Sequence, residues 1–266
     1  MVYMLLSGGG KDKIFGFSSI SYKNEYGALN VGVDTKIDNQ WIVGMSVGAI
    51  EGNQKIDHYG YRAEGEDSTQ SLKCYATRFD GSGSYIDFVT TINRFEQEFS
   101  TQMLDGSRAK GSYDSFAYGL SAEVGKTIGW GENNTYFWEP QLQLAYLRVG
   151  GKDFRMSNGL RVHQETADSL TGRLGFVLGK SMTQSEGNDY QLLLRGGINH
   201  EFLGQADVTV NGKHFTTNSL GTRGYYGVGF NWSLGSNMRL YGEINREKGT
   251  HYTSEINAQV SLKYCY

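Results

Sequence analysis

Three carboxylates have the type and placement for proton chemistry. By strand alternation Asp87, Glu123 and Glu139 fall on the same side of three consecutive strands. A carboxylic acid held in a confined, partly desolvated space has its pKa raised and can work as a general acid or base. The same side carries Gln141, Arg173, Arg195, Arg239 and Glu243. The plainer expectation is therefore an ion network, with the acids paired to the arginines, or a set of groups that hydrates a pore. The histidines offer less. His58, His163, His214 and His251 fall in or beside long polar stretches, His200 lies near a strand end, and no two have metal-ligand spacing. No Ser-His-Asp set is marked by a motif. Gly8-Gly9-Gly10 lacks the Gly-Lys-Ser/Thr of a phosphate loop. Catalytic residues, metals and cofactors are accordingly expected to be none.

The strands that must position these groups are written as a period of two. Leu29, Val31 and Val33 oppose Ala28, Asn30, Gly32 and Asp34. Phe116, Tyr118, Leu120, Ala122 and Val124 oppose Ala117, Gly119, Ser121, Glu123 and Gly125. Trp138, Leu142, Leu144 and Tyr146 oppose Glu139, Gln141, Gln143 and Ala145, and similar runs follow at 170–180, 190–202, 225–232 and 238–245. The facing of a strand over 70–79 is not settled by its residues. At the end of the chain Val260, Leu262, Tyr264 and Tyr266 share an apolar face with Ile256 and Ala258, opposite Asn257, Gln259, Ser261 and Lys263. Such an edge invites aggregation in water, but it suits a strand that closes a membrane barrel.

Composition agrees. A single Pro with 18 Tyr, 13 Phe and 37 Gly among 266 residues suits uninterrupted strands. No apolar run approaches the ~18 residues of a transmembrane helix, and a mean hydropathy of -0.46 is compatible with a barrel in which only alternate residues meet lipid. The net charge of -3 provides no basic field for nucleic acid. Cys74 and Cys265 read as isolated thiols. No signal peptide opens the chain, so an exported protein is expected to be processed or to derive from a longer precursor.

The count is about twelve strands of about ten residues. Short turns are expected near 38, 82, 132, 186 and 236. Long loops are expected at 9–24, 51–68, 98–113, 151–168, 203–219 and 247–254. Trp41, Trp130, Trp138 and Trp232 gather beside the short turns, as an interfacial girdle does. Inward glycines, among them Gly44, Gly119, Gly125, Gly175 and Gly179, keep a narrow lumen open or leave room for something threaded through it. The fold expected is all-β: a 12-stranded antiparallel transmembrane β-barrel, with short periplasmic turns and long extracellular loops, occupying 1–266 as one domain. A soluble β-sandwich or barrel is the alternative.

Several segments resemble the translocator barrel of autotransporters, the type V secretion family. They are Tyr118-Gly119-Leu120-Ser121-Ala122-Glu123-Val124-Gly125, Trp138-Glu139-Pro140-Gln141-Leu142-Gln143-Leu144, Ser157-Asn158-Gly159-Leu160-Arg161-Val162 and Asp168-Ser169-Leu170-Thr171-Gly172-Arg173-Leu174-Gly175. The terminal strand joins them, although the family more often ends in Phe than in Tyr. The resemblance implies a barrel in the outer membrane of a Gram-negative bacterium. It also implies a covalently linked N-terminal passenger, of adhesin or other virulence type, carried to the cell surface. The passenger and its linker helix are expected to be missing from this chain. Other partners implied are outer-membrane lipid and the barrel-assembly machinery, which would read Val260, Leu262, Tyr264 and Tyr266 as its signal. In self-cleaving members lumenal acids at positions matching Asp87, Glu123 and Glu139 assist cleavage of the linker. A free-standing pore and an outer-membrane hydrolase are the alternatives.

Overall fold

A computed structural model describes residues 2–15, 20–58, 61–185, 188–217, 220–250 and 252–265. Seventeen strands are seen among them. The first eight are β1 (Val2–Phe15), β2 (Ile20–Lys36), β3 (Trp41–His58), β4 (Tyr61–Phe79), β5 (Ser84–Gln102), β6 (Arg108–Lys126), β7 (Ile128–Trp130) and β8 (Tyr136–Val149). Then come β9 (Lys152–Arg155), β10 (Arg161–Gln164), β11 (Ala167–Ser185), β12 (Asn188–Glu201), β13 (Ala206–Val210) and β14 (Lys213–Thr217). The last three are β15 (Thr222–Leu234), β16 (Met238–Gly249) and β17 (Tyr252–Tyr264).

Twelve of the described strands close into one antiparallel ring. It runs β1 to β6, β8, β11, β12, β15, β16 and β17; β8 pairs with β11, and β17 returns to β1, with Val2 opposite Tyr264. The three-residue β7 continues β6 along β8. Closure leaves no sheet edge, the condition for backbone that crosses lipid.

The side chains settle which face is inside. Asn30, Asp34, Asn199, Glu201, Arg223 and Glu243 are buried, whereas Leu29, Val31, Leu120, Leu144, Leu174 and Val228 are exposed. A soluble barrel has the reverse arrangement. On β4, Leu72 and Cys74 point out while Ser71, Lys73 and Tyr75 turn inward. The sequence was mute there because its outward face is small and mixed and its inward face carries a tyrosine. The four tryptophans lie at the short-turn ends, with Trp130 stacked on Tyr136 at 6.0 Å. Tyr118, Tyr146 and Tyr226 mark the opposite end of the outward face.

The connections depart from the expectation. The stretches 51–68 and 98–113 are mostly strand: Glu51 pairs with Ser68, and the β5–β6 ladder continues to Gln102 opposite Arg108. Residues expected as loop at 9–24 belong largely to β1 and β2, with 16–19 outside the described residues. The reason is solvent. Beyond the lipid both faces of a strand meet water, so the alternation that marks a strand disappears while the ladder continues. A 19-residue strand is about 60 Å long at ~3.3 Å per residue. At a tilt of about 40° it rises roughly 45 Å, against a lipid belt of about 25 Å.

The stretches after β8 and β12 form a separate four-stranded sheet, β14-β13-β10-β9. Its apolar side (Phe154, Val162, Val208, Val210) packs on Phe99 and Ala109 of the β5–β6 extension. Phe99 and Tyr113 occupy inward positions there, and Phe154 stacks on Tyr113 at 5.1 Å. The small sheet therefore sits inside the rim at the outer mouth.

The turns are fixed by aspartates. Asp38 Oδ1 accepts the amides of Gln40 and Trp41, both at 2.7 Å. These bonds, Trp41 first, hold its carboxyl below the usual range. The Ser82 hydroxyl, then the amides of Ser82 and Ser84, do the same for Asp80.

Candidate functional site

The lumen gathers the polar groups. Tyr85 on β5 lies across Gly125 of β6, where a Cβ would meet its ring at 2.5 Å. Its hydroxyl donates to Glu123 Oε1 at 2.7 Å and lies 3.4 Å from Glu139 Oε1. Gln141 Nε2 donates to Glu139 at 2.8 Å and to the Tyr85 hydroxyl at 3.1 Å, and the Thr127 hydroxyl donates to Glu139 Oε2 at 2.7 Å. Asp87 is the direct cross-strand neighbour of Glu123, but it accepts from Thr77 on the other side. Two of the three candidate acids thus share one tyrosine, and the third stands apart. These lumenal carboxylates are satisfied by neutral donors, not by arginine.

The arginines serve a second network. Arg173 Nε donates to Asn199 at 3.0 Å, Asn199 donates to Glu247 at 3.0 Å, and Arg223 Nε donates to the same Glu247 oxygen at 2.6 Å. Arg195 lies 3.4 Å from Glu243, which also accepts from Tyr241 and Asn245. Arg173 and Arg195 cover the rings of Tyr225 and Tyr241 at 5.3 and 5.9 Å. Arg239 shares a face with Tyr241 and Glu243 but is exposed at the short-turn mouth. The expected pairing of Asp87, Glu123 and Glu139 with arginines is replaced by a division of the lumen wall. Asp87, Glu123 and Glu139 stand on β5, β6 and β8; Arg173, Arg195, Arg223 and Arg239 stand on β11, β12, β15 and β16, where Glu243 and Glu247 are their acidic partners.

A third cluster lies beside the seam. Asp34 accepts from Lys263 Nζ at 2.7 Å and from the Tyr75 hydroxyl at 2.9 Å. Tyr75 reaches it by lying over Gly44, where a Cβ would stand 2.4 Å from the ring. The inward glycines were expected to keep the lumen open. At Gly44, Gly125 and Gly175 they are instead seats for tyrosine rings. Sequence reasoning missed Tyr75, Tyr85, Tyr225 and Tyr241. For Tyr75, Tyr85 and Tyr225 the available signal was an inward tyrosine on one strand facing an inward glycine on the next; Tyr241 faces Asn231 and Ser261 and carried no such signal.

The histidines do not build a hydrolytic centre among the described residues. His163 approaches Asp153, His200 meets Thr222, and His214 lies near Asp207 and Thr216. No group of three metal-binding side chains forms among the described residues. Val260, Leu262 and Tyr264 sit on the outward face of β17, and Tyr266 lies outside the described residues.

Comparison with known proteins gives a consistent answer. The family model Autotransporter beta-domain matches residues 8–245. The chain is 34% identical over 229 residues to the pertactin autotransporter of Bordetella parapertussis, covering 85% of this chain and 24% of that protein. It is 32% identical over 191 residues to the autotransporter adhesin/invasin TibA of Escherichia coli O78:H11, covering 71% of this chain and 19% of the relative. The chain thus spans about a quarter or less of these relatives' length. Among solved structures, the β domain of the Bordetella autotransporter BrkA superposes with a TM-score of 0.82 at 22% identity, covering 100% of this chain and 98% of that one. The transport unit of AIDA-I from Escherichia coli gives 0.83 at 14% identity, covering 100% and 90%. At these identities the two structures speak for the fold.

Proposed function

The chain belongs to the autotransporter β-domain family of Gram-negative outer-membrane barrels, and from that premise we propose that residues 1–266 act as one translocator unit, anchoring and exporting an N-terminally linked passenger. One observation carries the reading. Val2 pairs with Tyr264 at the short-turn end, so whatever precedes β1 starts on the periplasmic side and must pass the polar lumen to reach the surface. The homologous relatives are passenger-bearing autotransporters, and an adhesin such as TibA is the passenger type we favour.

The test is a reporter domain fused ahead of Val2 and expressed in a Gram-negative host. Protease added to intact cells is expected to remove the reporter. A reporter that stays protected behind a folded, heat-modifiable barrel overturns the reading.

Translocator domains of this family are generally non-enzymatic. A narrower activity, assistance in cleaving the linker between passenger and barrel, is supported by the shared contact of Glu123 and Glu139 with Tyr85. In a fusion that restores the native linker between the reporter and Val2, Glu139→Gln is expected to slow release of the reporter, while Asp87→Asn, whose carboxylate turns away, leaves it unchanged. Absence of any released barrel fragment from the unmutated fusion rejects this activity. For assembly, Val260, Leu262 and Tyr264 offer their outward face to lipid and to the barrel-assembly machinery. Leu262→Asp is expected to block insertion by that machinery in proteoliposomes, and unimpaired insertion removes the assignment.

A further inference from the structure

The lipid-facing wall of β4, β5, β6, β8 and β11 is not evenly covered. In register across it run Cys74, Thr90, Leu120, Tyr146 and Leu170. Two residues nearer the short turns run Ala76, Phe88, Ala122 and Leu144. Small side chains at 74, 76, 90 and 122 lie between the bulk of Phe88, Leu120 and Leu144. The result is an almost wholly apolar recess of about 560 Å³. A smooth belt suffices for contact with bulk lipid, whereas a recess of this volume and apolar lining has room for part of one acyl chain.

The next row toward the outer mouth brings the first charges above the recess. It runs Leu72, Ile92, Tyr118, Arg148 and Asp168. Arg148 therefore stands one outward step, about 7 Å along the strand, above Tyr146 at the recess. Its side chain is 57% exposed and only 3.9 Å from Asp168 at its nearest, too long for a hydrogen bond. Asp168 is held instead by the Tyr146 hydroxyl at 2.6 Å. The guanidinium also meets the Tyr146 side chain, yet more than half of the Arg148 side chain stays exposed for a further partner, with Tyr118 beside it in register. A planar guanidinium at this level matches a phosphate, which it binds in bidentate fashion.

We propose that this wall is a site for a phosphorylated glycolipid of the outer leaflet, with one acyl chain in the recess and a phosphate on Arg148. The row order fixes the polarity: the charged end is toward the long-hairpin side, which faces the cell exterior. Asp168 lies where it tempers the site, since its carboxylate repels the same phosphate.

The site can be read by native mass spectrometry of the full chain folded in detergent, with lipid A, phosphatidylglycerol or phosphatidylcholine added separately. Lipid A is expected to be retained at least fivefold over either phospholipid. Ala122→Phe, which fills the recess, and Arg148→Gln are each expected to lower that retention fivefold or more. Val228→Phe, on the lipid face of β15, is expected to leave it unchanged, and Asp168→Asn to raise it. Heat-dependent gel mobility verifies that each variant is folded. Equal retention by the folded Ala122→Phe and Arg148→Gln variants overturns the site. Equal or stronger retention of phosphatidylglycerol overturns the choice of occupant.

Discussion

Lys263 on the last strand donates to Asp34 on the second at 2.7 Å, across β1, so one ion pair ties both sides of the barrel seam. The Asp34 side chain is 3% exposed and that of Lys263 is 29% exposed. Removing one partner of a buried pair leaves an uncompensated charge and costs about 3–5 kcal/mol, less where one partner is partly solvated. Lys263→Met is expected to lose roughly 2–3 kcal/mol on that basis. The double variant Lys263→Met/Asp34→Asn should recover part of it. Urea titration of the heat-modifiable band measures both, and additive losses would deny the coupling.

The Tyr75–Gly44 contact gives a second expectation. A methyl at position 44 meets the tyrosine ring at 2.4 Å, so Gly44→Ala must displace the ring and break its bond to Asp34. Overpacking of this kind costs about 1–3 kcal/mol. Tyr75→Phe keeps the ring and loses the hydrogen bond to the Asp34 carboxylate, about 1.5–3 kcal/mol, a loss that Gly44→Ala shares on top of its overpacking. The alanine variant should therefore unfold at lower urea than the phenylalanine variant.

The turn aspartates set a pH dependence. Hydrogen bonds hold Asp38 and Asp80 below the ordinary carboxylate range in the folded state. Their stabilisation is fully present above the unfolded value, about pH 4, and is lost as pH falls through the folded value. Asp80→Asn is expected to lower the urea midpoint at pH 7, with the gap from the unmutated chain closing below about pH 4. A gap constant from pH 7 to pH 3 would count against this account.

The two thiols report the facing of β4. Cys74 is exposed on the outward wall, and Cys265 follows β17 at the short-turn end. In liposomes Cys74 is expected to react with a membrane-partitioning maleimide and to resist a charged, water-soluble one. Rapid modification of Cys74 by the charged reagent would turn β4 the other way.

The small sheet at the outer mouth is expected to be held mainly by Phe154. Phe154→Ala removes its contacts with Phe99 and Tyr113. Amide exchange over Arg161–Gln164 and Ala206–Val210 should accelerate while the barrel ladders stay protected. Unchanged exchange would show that the sheet is held elsewhere.

These relationships differ in how far the sequence announces them. Leu29, Val31 and Val33 declare their face because lipid on one side and polar lumen on the other demand opposite chemistry. Lys73 and Tyr75 on β4 blur that contrast, and past the lipid boundary it vanishes, which is why Glu51–Ser68 reads as loop yet forms a ladder. The division of the lumen wall was half legible: the inward acids and arginines were in place by parity. Their partners were not, since Tyr85, Thr77 and Asn199 are chosen by strand neighbours and ring packing. Asp34 and Lys263 meet across 229 residues of chain, a separation at which no local pattern operates.

The strand extensions of β3 to β6 raise one side of the barrel wall into a screen, while β8, β12 and β15 stop nearer the lipid. The rim of that screen stands on the order of 20 Å above the apolar belt. A polypeptide threaded through the lumen, as proposed above, would emerge with that screen on one side and open solvent on the other.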